Sequence, residues 1–244
     1  MKIIPNSVGI FFPSEKNELI KLFNKYRKSQ VNSSSRLIIV PHAGYEYSGR
    51  VAYNTYKFLD NNVDNVVVIA PAIYKQIYGL VSCSADSFFT PLGDISIKPG
   101  DFEYLNEIFS CEPAIGVQLP FVKYFFPNAT ITPILYGCED YQNIFQIIND
   151  NINDSNIIIV SNLSRFVPER ESLKLDGETS RKIAKLEFQD LDVELADGAI
   201  GICGAIKFAK EEKLKFKKTI QSNSSKINND TSNVVGYCGW YLTR

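Results

Sequence analysis

Leu37-Ile38-Ile39-Val40-Pro41-His42-Ala43-Gly44-Tyr45 is the stretch that decides the fold. Four consecutive apolar residues, three of them β-branched, stop at a proline. Such a run suits a strand covered on both faces, as in a parallel sheet packed between helices. The same kind of run returns at Val66-Val67-Val68-Ile69, Ile131-Thr132-Pro133-Ile134-Leu135 and Ile157-Ile158-Ile159-Val160. Helical patterns separate the runs, at Val51 to Leu59, Val117 to Phe126 and Tyr141 to Ile148. Alternation of buried strands with helices predicts an α/β fold, a sandwich with a largely parallel central sheet.

Outward from this centre the pattern continues. Ser14 reads as an N-cap, and Leu19, Leu22, Phe23 and Tyr26 recur at helical spacing toward a basic end at Lys25-Tyr26-Arg27-Lys28. Asn32-Ser33-Ser34-Ser35 reads as a loop. Glu178 to Leu191 and Ala199 to Ala209 are read as two further helices, and Val234-Val235-Gly236-Tyr237 as a last strand. Residues 221–233 (QSNSSKINNDTSN) are too polar to pack and are expected to form a mobile loop. No repeat or linker divides the chain, so residues 1–244 are read as one domain.

Composition removes several functions. Lys and Arg number 26 against 27 Asp and Glu, so no basic field exists to hold a nucleic-acid backbone. No apolar stretch approaches the roughly 20 residues that cross a bilayer, and Pro5-Asn6 interrupts the first apolar run before a signal-peptide core can form. The five cysteines, Cys83, Cys111, Cys138, Cys203 and Cys238, make no CxxC pair and a poor disulfide framework. A cytoplasmic protein with free thiols is expected. The chain has a single histidine, His42, which is too few for a two-His-one-carboxylate iron site or a three-His zinc site within one subunit.

Ligands of open α/β sheets bind beyond the carboxyl ends of the strands. There the chain carries Pro41-His42-Ala43-Gly44-Tyr45, Ala70-Pro71-Ala72-Ile73-Tyr74 and Ser161-Asn162-Leu163-Ser164-Arg165-Phe166. If the strands are neighbours, His42, Asn162 and Arg165 surround one cleft. His42 serves either as a structural hydrogen-bonded histidine or as a site residue, and Arg165 either as a surface salt-bridge partner or as a ligand-binding cation. Gly198 to Gly204 is glycine-rich, but its spacing is neither a dinucleotide fingerprint nor a P-loop. Close packing of a helix on the sheet is the simpler reason, and no cofactor is expected. Tyr45, Tyr47, Tyr53 and Tyr56 lie partly at helical spacing and are first of all core, with Tyr45 and Tyr47 near enough to His42 to line the cleft.

Several short strings occur in order along nearly the whole chain: Phe11-Phe12-Pro13-Ser14, Val40-Pro41-His42-Ala43-Gly44-Tyr45-Glu46-Tyr47-Ser48-Gly49, Thr90-Pro91-Leu92-Gly93, Gln118-Leu119-Pro120-Phe121, Cys203-Gly204 and Val234-Val235-Gly236-Tyr237. Together they resemble the Memo family, whose bacterial members are called AmmeMemoRadiSam system protein B. The resemblance implies a fold like that of LigB-type, class III extradiol dioxygenases. It also implies a metal-binding, redox-linked ancestry, and company with an AMMECR-type protein and a radical SAM enzyme. Fold likeness alone does not carry ring-cleaving activity.

The chain departs from the family pattern where the chemistry should be. Gly-Pro-Asn/Ser-His becomes Ala70-Pro71-Ala72-Ile73, and His-Ser-x-Glu-x-Gln-Leu-Pro becomes Pro113-Ala114-Ile115-Gly116-Val117-Gln118-Leu119-Pro120. Ser-Ser-Asp-x-Ser-His becomes Val160-Ser161-Asn162-Leu163-Ser164-Arg165. Of the cleft positions that the resemblance maps, His42 and Cys203 remain. Imidazoles and carboxylates have given way to apolar groups, a neutral amide and a guanidinium, which has no lone pair for a metal. No metal is therefore expected. The expected function is a cytoplasmic binding or accessory protein whose cleft takes a small anion or carboxylate, with His42, Tyr45, Asn162, Arg165 and Cys203 as its ligand-binding residues. Two alternatives make Cys203 and His42 catalytic: a thiol nucleophile completed by Asn162, or soft-metal redox chemistry, since thiolate and imidazole suit Cu(I).

Overall fold

The computed structural model describes residues 1–27 and 34–244. In chain order the elements are β1 (Lys2–Ile3), α1 (Lys16–Tyr26), β2 (Leu37–Val40), a π-helical turn (Tyr45–Gly49), α2 (Arg50–Tyr56), β3 (Asn65–Pro71), β4 (Leu80–Ser82), β5 (Ser87–Phe88), β6 (Ile95–Ile97) and β7 (Glu103–Tyr104). They continue with α3 (Ile108–Cys111), α4 (Pro113–Gly116), α5 (Leu119–Phe125), β8 (Thr130–Tyr136), α6 (Tyr141–Asn151), β9 (Asn156–Val160), β10 (Arg165–Val167), α7 (Glu169–Lys185), α8 (Ala199–Glu211), β11 (Lys215–Asn223), α9 (Ser225–Asn228) and β12 (Val234–Thr243).

The four apolar runs are the parallel centre of the sheet, in the order β8-β3-β9-β2. β12 closes that side antiparallel to β2, and β6 joins β8 on the other. Alternation inside each run sends side chains to opposite faces. Ile38, Val40, Val66, Val68, Ile158 and Val160 pack on one side with Phe23, Tyr45, Tyr56 and Phe121. Leu37, Ile39, Val67, Ile69, Ile157 and Ile159 pack on the other with Ile144, Ile148, Ile202, Ile206 and Trp240. Both layers bury apolar side chains worth about 1.5–3 kcal/mol each, so the β-branched runs have no solvent-facing side to make polar.

Three of the four tyrosines expected in the core are there, and Tyr47 is only half-buried. Tyr45, Tyr53 and Tyr56 are buried, and the Tyr45 ring stacks on Phe121 at 4.5 Å. The glycines of α8 serve close approach. A Cβ on Gly198 would meet the Val160 carbonyl and Ser161, and one on Gly201 would lie 3.0 Å from Ile159 and from the Tyr136 hydroxyl. Gly204 makes its close approach to α6 instead, at Ile144.

Three expectations need correction. α1 is capped at Glu15, without a side-chain bond, not at Ser14; Lys28, Asn32 and Ser33 lie outside the described residues. The helix expected from Glu178 to Leu191 runs instead from Glu169 to Lys185, ending where Leu186 turns left-handed at φ +57°. Its first half is masked in the sequence by Asp176-Gly177, a pair that ordinarily breaks helices. The polar segment 221–233 is partly ordered. β11 extends to Asn223, α9 follows, and Asn223, Ser224 and Ser225 are buried. Polarity does not prevent burial there because every group finds a partner: Ser225 Oγ donates to Glu169 at 2.6 Å, and Ser224 Oγ accepts from Val235 N–H at 3.0 Å. Among the described residues no helix is long and apolar enough to cross a membrane.

Two glycines give opposite expectations. Gly198→Ala drives a methyl into backbone and should cost about 1–3 kcal/mol or more. Gly177→Ala, in the middle of α7 with nothing within 4 Å of its added methyl, should stabilise by about 0.5–1 kcal/mol. Urea unfolding midpoints of the two variants check both signs.

Candidate functional site

The site begins with register. β2 and β9 are parallel neighbours with Val40 opposite Val160, so the two chains leave the sheet side by side. Ser161 N–H donates to Val40 O at 2.8 Å, and His42 N–H donates to Asn162 Oδ1 at 3.0 Å. Beyond His42 the chain enters the π-helical turn, pinned by Tyr45 N–H on Phe11 O and Ser48 Oγ on Ala43 O. Such turns recur at functional sites.

At the centre stands Asp197, a residue the sequence reading did not single out. Its side chain is 1% exposed, and both oxygens are engaged. Oδ2 takes His42 Nε2 at 2.9 Å, with Arg165 3.5 Å away. Oδ1 accepts from Asn162 N–H at 2.8 Å and from Ser161 Oγ at 3.4 Å. Ser161 Oγ also accepts Gly198 N–H, tying this loop to the start of α8. A buried carboxylate is tolerated only with such compensation. The available signal was a charged residue set between Ala196 and Gly198, at the lip of the glycine-rich helix.

His42, Asn162 and Arg165 are thus brought together. Asn162 acts through its backbone and its carbonyl oxygen, bridging His42 to Asp197. Arg165 is turned partly inward, with about a third of its side chain exposed. Tyr45 is placed differently. Its hydroxyl donates to Val117 O at 2.8 Å inside the core, and burial pushes its pKa far up. Cys203 is also apart: its thiol faces Phe188 O at 3.6 Å and Leu191 O at 3.8 Å. Burial pushes that thiol up to about 11, so it sits as a thiol donor and not as a thiolate.

Two carboxylates and one amide hold the surroundings. Buried Glu112 accepts from Ile73 N–H at 2.8 Å, Tyr74 N–H at 3.1 Å and Ala114 N–H at 3.1 Å, fixing the loop after β3. Its signal was an acidic residue directly before a proline that opens a helix. Gln118 donates to Pro41 O and accepts from Tyr56 hydroxyl, both at 3.0 Å, which clamps the strand end beside His42. Asp176 of α7 accepts from Ser164 N–H at 3.1 Å and Ser164 Oγ at 2.7 Å, immediately before Arg165. Burial, opposed by those serine bonds, pushes its carboxyl up to about 6.

The metal implied by the resemblance does not fit these side chains. His42 Nε2 is committed to Asp197, Ile73 and Gly116 offer no side-chain donor, and Cys203 points to carbonyls. A guanidinium within about 4 Å of a divalent ion repels it by several kcal/mol at an effective dielectric of ~20. Among the described residues no group of three or more His, Cys, Asp or Glu is arranged to hold a metal ion.

An α/β sandwich whose strand-end loops close around one buried carboxylate is the class that fold and site define. Residues 4–241 match the family described as Memo-like protein, and the chain belongs to it. It is similar to MEMO1 family proteins of Archaeoglobus fulgidus (24% identity, covering 96% of this chain and 97% of the other) and Thermoplasma volcanium (29%, 96% and 95%). The same holds for a MEMO1 family protein of Aquifex aeolicus (27%, 96% and 97%).

Thiol labelling at neutral pH should mark the exposed Cys111 and Cys138 first. Cys203 should react more slowly than either until the protein unfolds; a fast-reacting Cys203 would contradict its buried donor setting. For Asp176 the folded pKa lies above the usual carboxylate value, so its contribution is fully present below about pH 4 and is lost as pH rises through about 6. Relative to Asp176→Asn, the wild type should lose on the order of 2 kcal/mol across that window, read from urea midpoints at pH 4 to 7.

Proposed function

We propose that this Memo family member acts by binding, as a cytoplasmic accessory protein. In this reading its metal site has degenerated, and the cleft beside Arg165 takes a small anion or carboxylate. The observation that carries the reading is the state of Arg165. Asp197 lies 3.5 Å from one guanidinium nitrogen, while Arg165, with about a third of its side chain exposed, lines an open depression with Phe166, Val167, Val193 and the carboxylates Glu171 and Glu194. A planar fork with N–H groups to spare matches a carboxylate. The positions where the resemblance implies imidazoles hold Ile73 and Arg165 here, and a guanidinium fixed in the site favours an organic carboxylate over a metal ion. An AMMECR-type protein and a radical SAM enzyme are the partners proposed from family resemblance.

Titration calorimetry with small carboxylates tests the reading. Arg165→Gln should weaken binding at least about tenfold, the scale of one lost charge-assisted contact. His42→Ala should keep the fold and most of the affinity, at a cost of about 1–3 kcal/mol in stability from Asp197 left short of a partner. Binding that survives Arg165→Gln unchanged would contradict the proposal.

A further inference from the structure

Among the described residues, Arg165 is the one cation lining this depression, and groups of other kinds stand beside it. Arg165, Phe166, Val167, Leu175 and Val193 line it together with two carboxylates, Glu171 and Glu194, in a volume of about 380 Å³. That is near the lower end for small-molecule sites. Phe166 is a bulky aromatic in the left-handed region at φ +58°, and it is 70% exposed. It occupies the bulge between Arg165 and Val167, where β10 slips register against β12. Neither burial nor regular pairing repays that backbone conformation, and strain of this kind collects where a side chain is held out for a ligand. Val193, across the depression, is 63% exposed.

We infer that this depression binds a small zwitterion with an apolar side chain, of the size of a free apolar α-amino acid. Its carboxylate meets Arg165, its ammonium meets Glu171 or Glu194, and its side chain lies on Phe166 and Val193. This rests on the carboxylate-binding role proposed for Arg165 and goes beyond it. Three features carry it: the signs of the charges, the apolar surface between them and the strained aromatic that presents part of that surface. A bare inorganic anion uses only the arginine and is opposed by the two glutamates. A hydrophobic amine uses only the glutamates.

The test is calorimetry with three probes of one shape: L-phenylalanine, 3-phenylpropanoate and 2-phenylethylamine. L-Phenylalanine should bind at least about tenfold more tightly than either single-charge analogue, the scale of one extra charge-assisted contact. The double variant Glu171→Gln, Glu194→Gln should remove its advantage over 3-phenylpropanoate. Phe166→Gly supplies a second readout. Glycine accepts the left-handed backbone, so melting temperature should rise while affinity falls at least about fivefold. If 3-phenylpropanoate binds as tightly as L-phenylalanine and still needs Arg165, the zwitterion inference is overturned and the carboxylate reading stands. If neither binds, both are overturned. If Phe166→Gly keeps full affinity, the aromatic has no part in the site and the inference falls.

Discussion

A carboxylate is buried at the carboxyl ends of β2 and β9, and the surrounding loops are arranged to compensate it. Asp197 draws in the His42 ring, the Asn162 amide, the Ser161 hydroxyl and the Arg165 guanidinium. None of these can leave without stranding part of a charge in a poorly solvated place. The same bonds fix the path from β9 into β10 and anchor the start of α8 through Ser161 and Gly198. Site geometry and local fold are therefore one constraint. The parallel register of Val40 and Val160 sets the spacing, and Asp197 uses it.

The parts of the fold legible in the sequence are those where a local pattern and the tertiary structure agree. The runs at Leu37, Val66, Ile131 and Ile157 have only one use, a strand covered on both sides, and they became the sheet centre. α7 was misplaced because Asp176-Gly177 looks like a helix stop; the carboxylate is instead turned inward to the Ser164 turn. β11 is hard to read as a strand because Lys215, Lys217 and Lys218 make its first half polar; it is held by β12, which pairs with it on both sides of an irregularity between Lys218 and Gln221. Asn223 to Ser225 looked unpackable because their partners, Glu169 and Val235, are distant in sequence.

The site was legible by position more than by partner. Strand ends pointed to His42, Asn162 and Arg165, and these do meet. What joins them, Asp197, lies 32 residues beyond Arg165, and no spacing rule reaches so far. Tyr45 shows the opposite limit: two residues of chain separate its neighbourhood from His42, yet its hydroxyl is turned to Val117 in the core. Family membership gives the scaffold, while the side chains at the strand ends give this chain its own chemistry. Ile73, Gly116 and Arg165 stand where the resemblance implies donors, and Glu112 holds the β3 loop from within.

Because the chain has one histidine, a single imidazole spin system reports directly on this centre. The decisive measurement is long-range proton–nitrogen correlation on protein labelled with nitrogen-15 histidine, recorded before and after adding zinc or ferrous ion. The account predicts a proton held on Nε2 toward Asp197 and ring resonances that stay unchanged with either metal. Nitrogen resonances that move to metal-bound positions at one equivalent would contradict it.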